Sequence, residues 1–204
     1  MSSNRVRAYP ERIRRLRASV GLLRQAMSEG RMIHDADDAY PAIHQEGLPL
    51  PAQVPPPLLI GGGGRQLLAF AAREADIVGI NPRSLPEGVL DSRDVVASAV
   101  DRKIGWLRES AGARWSELEI NVALYAVDPE FHRRATSPPA RPHGVSEPDF
   151  LESPHFLAGD VEEMIELLHA RRERWNISYI ALRADHLGLM RDVIRRLASS
   201  RPPA

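Results

Sequence analysis

The sequence predicts an α/β chain in which short parallel strands alternate with helices. Three observations carry this. Short, mostly apolar runs of three to six residues, such as Leu58-Leu59-Ile60 and Ile177 to Leu182, are each followed by a stretch with helical periodicity. Strands that alternate with helices of this length imply parallel pairing through right-handed crossovers. The strands are nearly all apolar, which fits a sheet covered on both faces. Two architectures satisfy the pattern: an open doubly wound sheet, or part of a (β/α) barrel.

The elements follow in order. Ile13, Leu16, Val20, Leu23 and Met27 recur every three or four residues and give an opening helix one apolar face, opposite Arg12, Arg14, Arg15, Arg17 and Arg24. A polar, acidic and then Pro-rich connection runs from about 30 to 57 and is expected to be irregular. Leu58-Leu59-Ile60 is a buried strand stopped by Gly61-Gly62-Gly63-Gly64. A helix starts near Arg65, with Leu68, Ala71, Ala72 and Ala75 on one side, and Asp76-Ile77-Val78-Gly79-Ile80 is the next strand, ended by Asn81-Pro82. Val96, Val100, Ile104 and Leu107 mark a helix, and Ile120 to Val127 is the longest strand candidate. A second irregular stretch, about 128–158, is dense in proline. Asp160-Val161-Glu162-Glu163 has capping-box form. It opens a helix lined by Val161, Met164, Ile165, Leu168 and Trp175, and Ile177 to Leu182 is the last strand. Met190, Val193, Ile194 and Leu197 mark the final helix.

The four consecutive glycines are the most informative feature. Lacking Cβ atoms, they permit positive φ and close approach of a ligand, and the helix that follows offers free N–H groups and the positive end of its dipole. Together these suit a phosphate. A tight strand-to-helix turn needs only one glycine. A nicotinamide Rossmann fingerprint does not fit: with Gly61 and Gly63 as the first pair, the third glycine falls on Gln66, and the next strand ends Ile80-Asn81 without a carboxylate. No Gly-Lys-Ser/Thr follows, so the loop is not a P-loop.

Composition limits the remaining classes. The 204 residues suffice for one domain and are short for two, and the formal net charge is zero, giving no global attraction to nucleic acid or an anionic membrane. The absence of cysteine removes disulfides, thiolate zinc sites and cysteine nucleophiles, and fits a cytoplasmic setting. No apolar h-region follows the N-terminus, and no apolar stretch approaches the ~20 residues of a membrane helix.

Two blocks carry a family resemblance. "PPLLIGGGGRQLLAFAAREADIVGIN", Pro56 to Asn81, resembles the middle of the luciferase-like monooxygenases, and in particular their subgroup that uses the deazaflavin coenzyme F-420. There a Gly-Gly-rich loop ends a strand, and an Ala-Ala-Arg-x-Ala-Asp pattern, here Ala71, Ala72, Arg73, Ala75 and Asp76, leads into the next. "SPHFLAGDVEEMIELLHARRERWNISYIAL", Ser153 to Leu182, resembles the closing section of the same family.

The resemblance implies a single N-terminally truncated luciferase-like domain over 1–204. Its fold would be a partial (β/α)8 TIM barrel, the C-terminal half, with parallel strands equivalent to the fifth through eighth. The first four strands, which in the family supply much of the flavin-ring pocket and most substrate contacts, would have preceded Met1. A truncated gene product, a mis-placed start codon or a degenerate paralogue would each account for this.

By the same resemblance the amides of Gly61, Gly62, Gly63 and Gly64 hold the cofactor phosphate, and Arg65 either adds charge at the helix mouth or is a solvated arginine. Gly79, Ile80 and Asn81 lie at the strand end where barrel active sites sit, with Asn81 placed for a ring or ribityl group or, alternatively, for capping the turn before Pro82. The implied chemistry is hydride transfer between a small-molecule substrate and reduced F-420 or FMN, impaired or absent in this fragment. Catalytic residues are not assigned; His155 is a weak candidate against a loop histidine with no role. The competing functions are a non-catalytic remnant that binds a phosphate-bearing ligand or a partner, and a phosphate-binding α/β protein unrelated to luciferases. The open strand edges predict self-association or pairing with a separate N-terminal half. His34, Asp35, Asp37, Asp38 and His44 read as a solvated acidic loop rather than a metal site, because the calcium-loop glycine and distal glutamate are missing. Trp106, Trp115 and Trp175 read as packing, and the basic opening helix as a barrel-surface helix rather than a nucleic-acid site.

Overall fold

The structure, a computed structural model, describes residues 9–53, 55–85, 90–129 and 145–199. They fall into two compact units, 1–57 and 58–204.

The first unit holds α1 (Tyr9–Glu29), β1 (Met32–His34) and β2 (Ile43–Gln45). Ile13 and Val20 are buried as the periodicity predicts, but Leu22 is buried in place of Leu23, which is 46 % exposed. The helix stops at Gly30, whose φ of +65° only glycine adopts freely, and Leu48 N–H returns to the Gly30 carbonyl at 2.8 Å. The stretch expected to be irregular contains an antiparallel pair, β1 with β2, Met32 opposite Gln45 and His34 opposite Ile43. Polar residues hide this hairpin from a reading based on apolar runs. Asp37 Oδ1 accepts the N–H groups of Ala39 and Tyr40 and contacts His34 Nε2 at 3.1 Å, closing the turn between the strands. Those backbone donors, Tyr40 first, draw the Asp37 carboxyl below its usual range.

The second unit is built on a four-stranded parallel sheet whose strands lie in chain order: β3 (Leu59–Gly62), β4 (Ile77–Ile80), β5 (Glu119–Ala123) and β8 (Ile177–Ala181). This is the predicted arrangement, and it rules out reordering around a switch point. The helices are α2 (Arg65–Glu74), α3 (Ala97–Ala111), α4 (Glu147–Glu152), α5 (Val161–Trp175) and α6 (Leu187–Ser199). α2 packs on β3 and β4, α3 on α2, α5 on β8, and α6 on α5. The α5 capping box forms reciprocally, Glu163 N–H to Asp160 Oδ1 at 3.0 Å and Asp160 N–H to Glu163 Oε2 at 2.8 Å.

The strand expected over 120–127 divides. β5 stops at Ala123, and β6 (Ala126–Asp128) leaves the main sheet to pair in parallel with β7 (Phe156–Ala158). The proline-dense stretch thus carries α4 and β7, while 130–144 lies outside the described residues. Leu124, Val127, Leu157, Met164, Met190 and Val193 form one core between β6, β7, α5 and α6. Val95, Val145, Phe156 and Ala158 form a second.

Candidate functional site

In a parallel sheet every strand ends at the same edge, so Gly61–Gly64, Asn81 and the segment after Ala123 share one rim. The pairing places Gly61 beside Gly79 and Gly79 beside Asn121. With the side-chain period of two, Leu59, Gly61, Ile77, Gly79, Asn121 and Tyr179 line one face. Ile60, Val78, Ile80, Ile120 and Val122 line the other, which is buried.

The glycine loop differs from expectation in one respect: none of its residues has positive φ. Their small size serves close packing instead. A Cβ on Gly61 would lie 3.0 Å from Asn81 Nδ2, one on Gly62 would overlap the Leu67 side chain, and one on Gly63 would lie 2.6 Å from the Asn81 carbonyl oxygen. The fold itself needs glycine at Gly63, where the neighbour is backbone; at Gly61 and Gly62 the neighbours are the Asn81 and Leu67 side chains, which would have to shift to admit a Cβ. Gly64 is the N-cap of α2 and supplies no capping side chain, so the N–H groups of the first turn are left to other acceptors.

Gly79 is equally crowded, its missing Cβ 3.2 Å from Gly61 Cα and 3.4 Å from Asn121 Oδ1. Ile80 is fully buried on the opposite face, so its side chain belongs to the core. Arg65 points away from the loop to Glu109 Oε2 at 3.2 Å, a surface ion pair. Asn81 donates its N–H to the Gly62 carbonyl at 3.0 Å, and its side chain is turned towards Gly61 rather than capping the Pro82 turn.

Two groups were missed or misplaced by the sequence reading. Asn121 is 7 % exposed and donates Nδ2 to the Tyr179 carbonyl at 3.1 Å, which aims its Oδ1 at Gly79. The one signal available was a carboxamide inside the apolar run Ile120 to Leu124. His155 lies in the turn before β7 and is fully buried, with Nδ1 3.3 Å from the Ala123 carbonyl and its ring 5.6 Å from Tyr125. Burial pushes it down to about 4, so it is neutral near pH 7.

A buried polar knot lies beneath the rim. Lys103 Nζ donates to Asp94 Oδ2 at 2.8 Å, the Asn81 carbonyl at 3.0 Å and the Asp94 carbonyl at 3.3 Å. Burial pushes the ammonium below its ordinary range, and the Asp94 carboxylate opposes that. Asp94 Oδ2 also accepts the Arg83 N–H at 2.7 Å. Elsewhere, Trp175 is buried with Nε1 on Asp101 Oδ1 at 2.6 Å, and Arg102 and Arg108 lie over Trp106 and Trp115. No described helix is long and apolar enough to cross a membrane.

No family model matches the sequence, and no curated protein matches it. Solved structures do match its fold. An F-420-dependent secondary alcohol dehydrogenase, solved with an F-420–acetone adduct, aligns with TM-score 0.63 at 15 % identity over 98 % of this chain and 65 % of its own. A long-chain alkane monooxygenase aligns with TM-score 0.59 at 12 % identity, over 97 % of this chain and 58 % of its own. The coenzyme F-420-dependent tetrahydromethanopterin reductase of Methanopyrus kandleri gives 0.55 at 13 %, over 90 % and 62 %. The chain thus spans 58 to 65 % of the length of these structures. With four parallel strands in chain order and helices between them, its fold matches part of the (β/α) barrel of these solved structures.

Proposed function

We propose that this chain is the cofactor-phosphate half of a hydride-transfer site that takes coenzyme F-420 or, alternatively, FMN. The observation that carries the reading is the convergence of Gly61, Gly79, Asn81 and Asn121 on one face at the C-terminal rim of a parallel sheet, the place where barrel enzymes bind their ligands. The residues present fit the group. The uncapped start of α2 offers N–H donors to a phosphate. The carboxamides of Asn81 and Asn121 offer neutral hydrogen-bonding groups to the ribityl chain or ring edge. When bound, the cofactor supplies the hydride chemistry with a small organic substrate. This chain's part is to hold the phosphate end and orient the rest.

Half of such a pocket does not support turnover, since positioning contributes about 7–11 kcal/mol to lowering a barrier. The outer strands β3 and β8 each have one side unpaired within the sheet, and we propose that they associate with a second copy or with complementary strands. A second reading, a ligand-binding protein without catalysis, is favoured by two observations: Gly61, Gly79, Asn81 and Asn121 do not titrate, and His155 is buried away from solvent.

Titration of the purified chain with FMN and with riboflavin tests the site. FMN is expected to bind at least tenfold more tightly, because only it carries the phosphate. Equal affinities refute the phosphate loop. Turnover with reduced F-420 or FMN at the ~1–10³ s⁻¹ typical of enzymes refutes the inactivity, and a stable monomer in analytical ultracentrifugation at tens of micromolar refutes the association.

A further inference from the structure

We infer that the buried Lys103–Asp94 pair is a positioning device, which locks the glycine loop and the Asn81 turn into one rigid unit and so sets the geometry of the site proposed above. Neither residue faces the exposed side of the sheet; both are buried, at 0 % and 1 % exposure. Burying an ion pair is costly in general, and here every proton of the ammonium has an acceptor within 3.3 Å. One of those acceptors is the Asn81 carbonyl. That same oxygen is the atom against which Gly63 is packed, 2.6 Å from where its Cβ would be. Asn81 N–H in turn holds the Gly62 carbonyl, and Arg83 N–H is held by Asp94.

A continuous chain of contacts therefore runs from α3 through Lys103 to the Asn81 peptide and on to Gly62–Gly63. It leaves the Asn81 carboxamide facing Gly61. A generic core contact would not choose the backbone of this one turn from both sides. The pair fixes the peptide, and the peptide fixes the loop.

The double variant Lys103→Met/Asp94→Asn tests this in the full chain. It removes both charges together, so no uncompensated ion remains buried, and the carboxamide oxygen that replaces the carboxylate can still accept the Arg83 N–H. The variant is expected to unfold cooperatively near the parent's midpoint. Its Asn81 amide should exchange hydrogen at least tenfold faster, while amides of β5 and α3 keep their protection. The preference for FMN over riboflavin should fall at least tenfold. A folded variant with unchanged exchange at Asn81 overturns the inference, as does a uniform loss of protection, which marks a purely structural role. If the variant does not fold, the parent chain decides: its Asn81 and Arg83 amides must exchange through the same opening as the α3 amides under increasing urea. A separate, lower-energy opening of the turn overturns the inference. If the parent shows no FMN preference at all, the proposed function fails, while the exchange data still judge the positioning role.

Discussion

On one face of the β3–β4–β5–β8 sheet, Ile60, Val78, Ile80, Ile120 and Val122 are 6 % exposed or less; on the other, Leu59 is 45 % and Tyr179 41 % exposed. The two faces come from alternate residues of the same strands. The buried face is filled with branched aliphatic side chains that pack beneath helices, where each methyl group removed leaves a void. The other face carries Gly61, Gly79 and Asn121 with Leu59, Ile77 and Tyr179; Leu59 and Tyr179 face solvent while Gly79 and Asn121 are buried, a composition that stabilises the monomer little. Packing determines the first face and availability the second.

The comparison breaks first if the buried face proves tolerant. Ile120→Ala is expected to cost about 2–5 kcal/mol in urea unfolding, since Ile120 is fully buried. A loss under about 1 kcal/mol would show that the helices do not close on this face.

Buried polar groups sharpen the contrast. His155 sits at about 4 when folded against an ordinary 6.5. Between those values the unfolded chain takes up the proton and the folded chain does not. Stability is therefore complete above the ordinary value and falls as pH drops towards the folded one, by about 3 kcal/mol in all. The loss should be read by thermal or urea unfolding across that window, and His155→Leu should flatten it. An unchanged profile in that variant would place the acid-labile group elsewhere.

At the helix ends the effect is smaller. Asp160→Ala removes a reciprocal capping box and should cost about 1 kcal/mol. Smallest of all, Tyr179→Ser on the open face should change monomer stability by about 0.5 kcal/mol or less, while weakening self-association in sedimentation. A larger loss of stability would mean that Tyr179 is packed in solution.

The buried face was legible in the sequence and the open face was not, for a physical reason. Val78, Ile80, Ile120 and Val122 announce themselves because burial demands apolar residues, and parallel order follows from the helices between them. Gly61–Gly64 also stood out, for the positive φ and close ligand approach that glycine permits; no positive φ is found there, and crowding by Asn81, Gly79 and Leu67 is. Crowding depends on which strand lies alongside, and no local pattern encodes it. Asn121 escaped for the same reason, its place being set by register with Gly79. The β1–β2 hairpin escaped because neither strand is buried enough to need an apolar alternation. Lys103 carried no signal in the sequence, since its acceptors are set by the fold, at 81 and 94.

The bulge in β8 has a consequence for how the molecule assembles. Ile120 pairs with Ile177 but Asn121 pairs with Tyr179, leaving Ser178 without a counterpart. The two strands that must find this offset register are 58 residues apart, whereas Leu58 N–H meets the Asp76 carboxylate across only 18. Loop-closure entropy and contact order favour the shorter pairing first. The β3–α2–β4 unit, with its glycine crossing already in place, would nucleate early, and β8 would be the last strand to lock. Until it does, the edge of β5 is open, and a chain released before residue 177 would expose Asn121 and its neighbours as an unpaired edge.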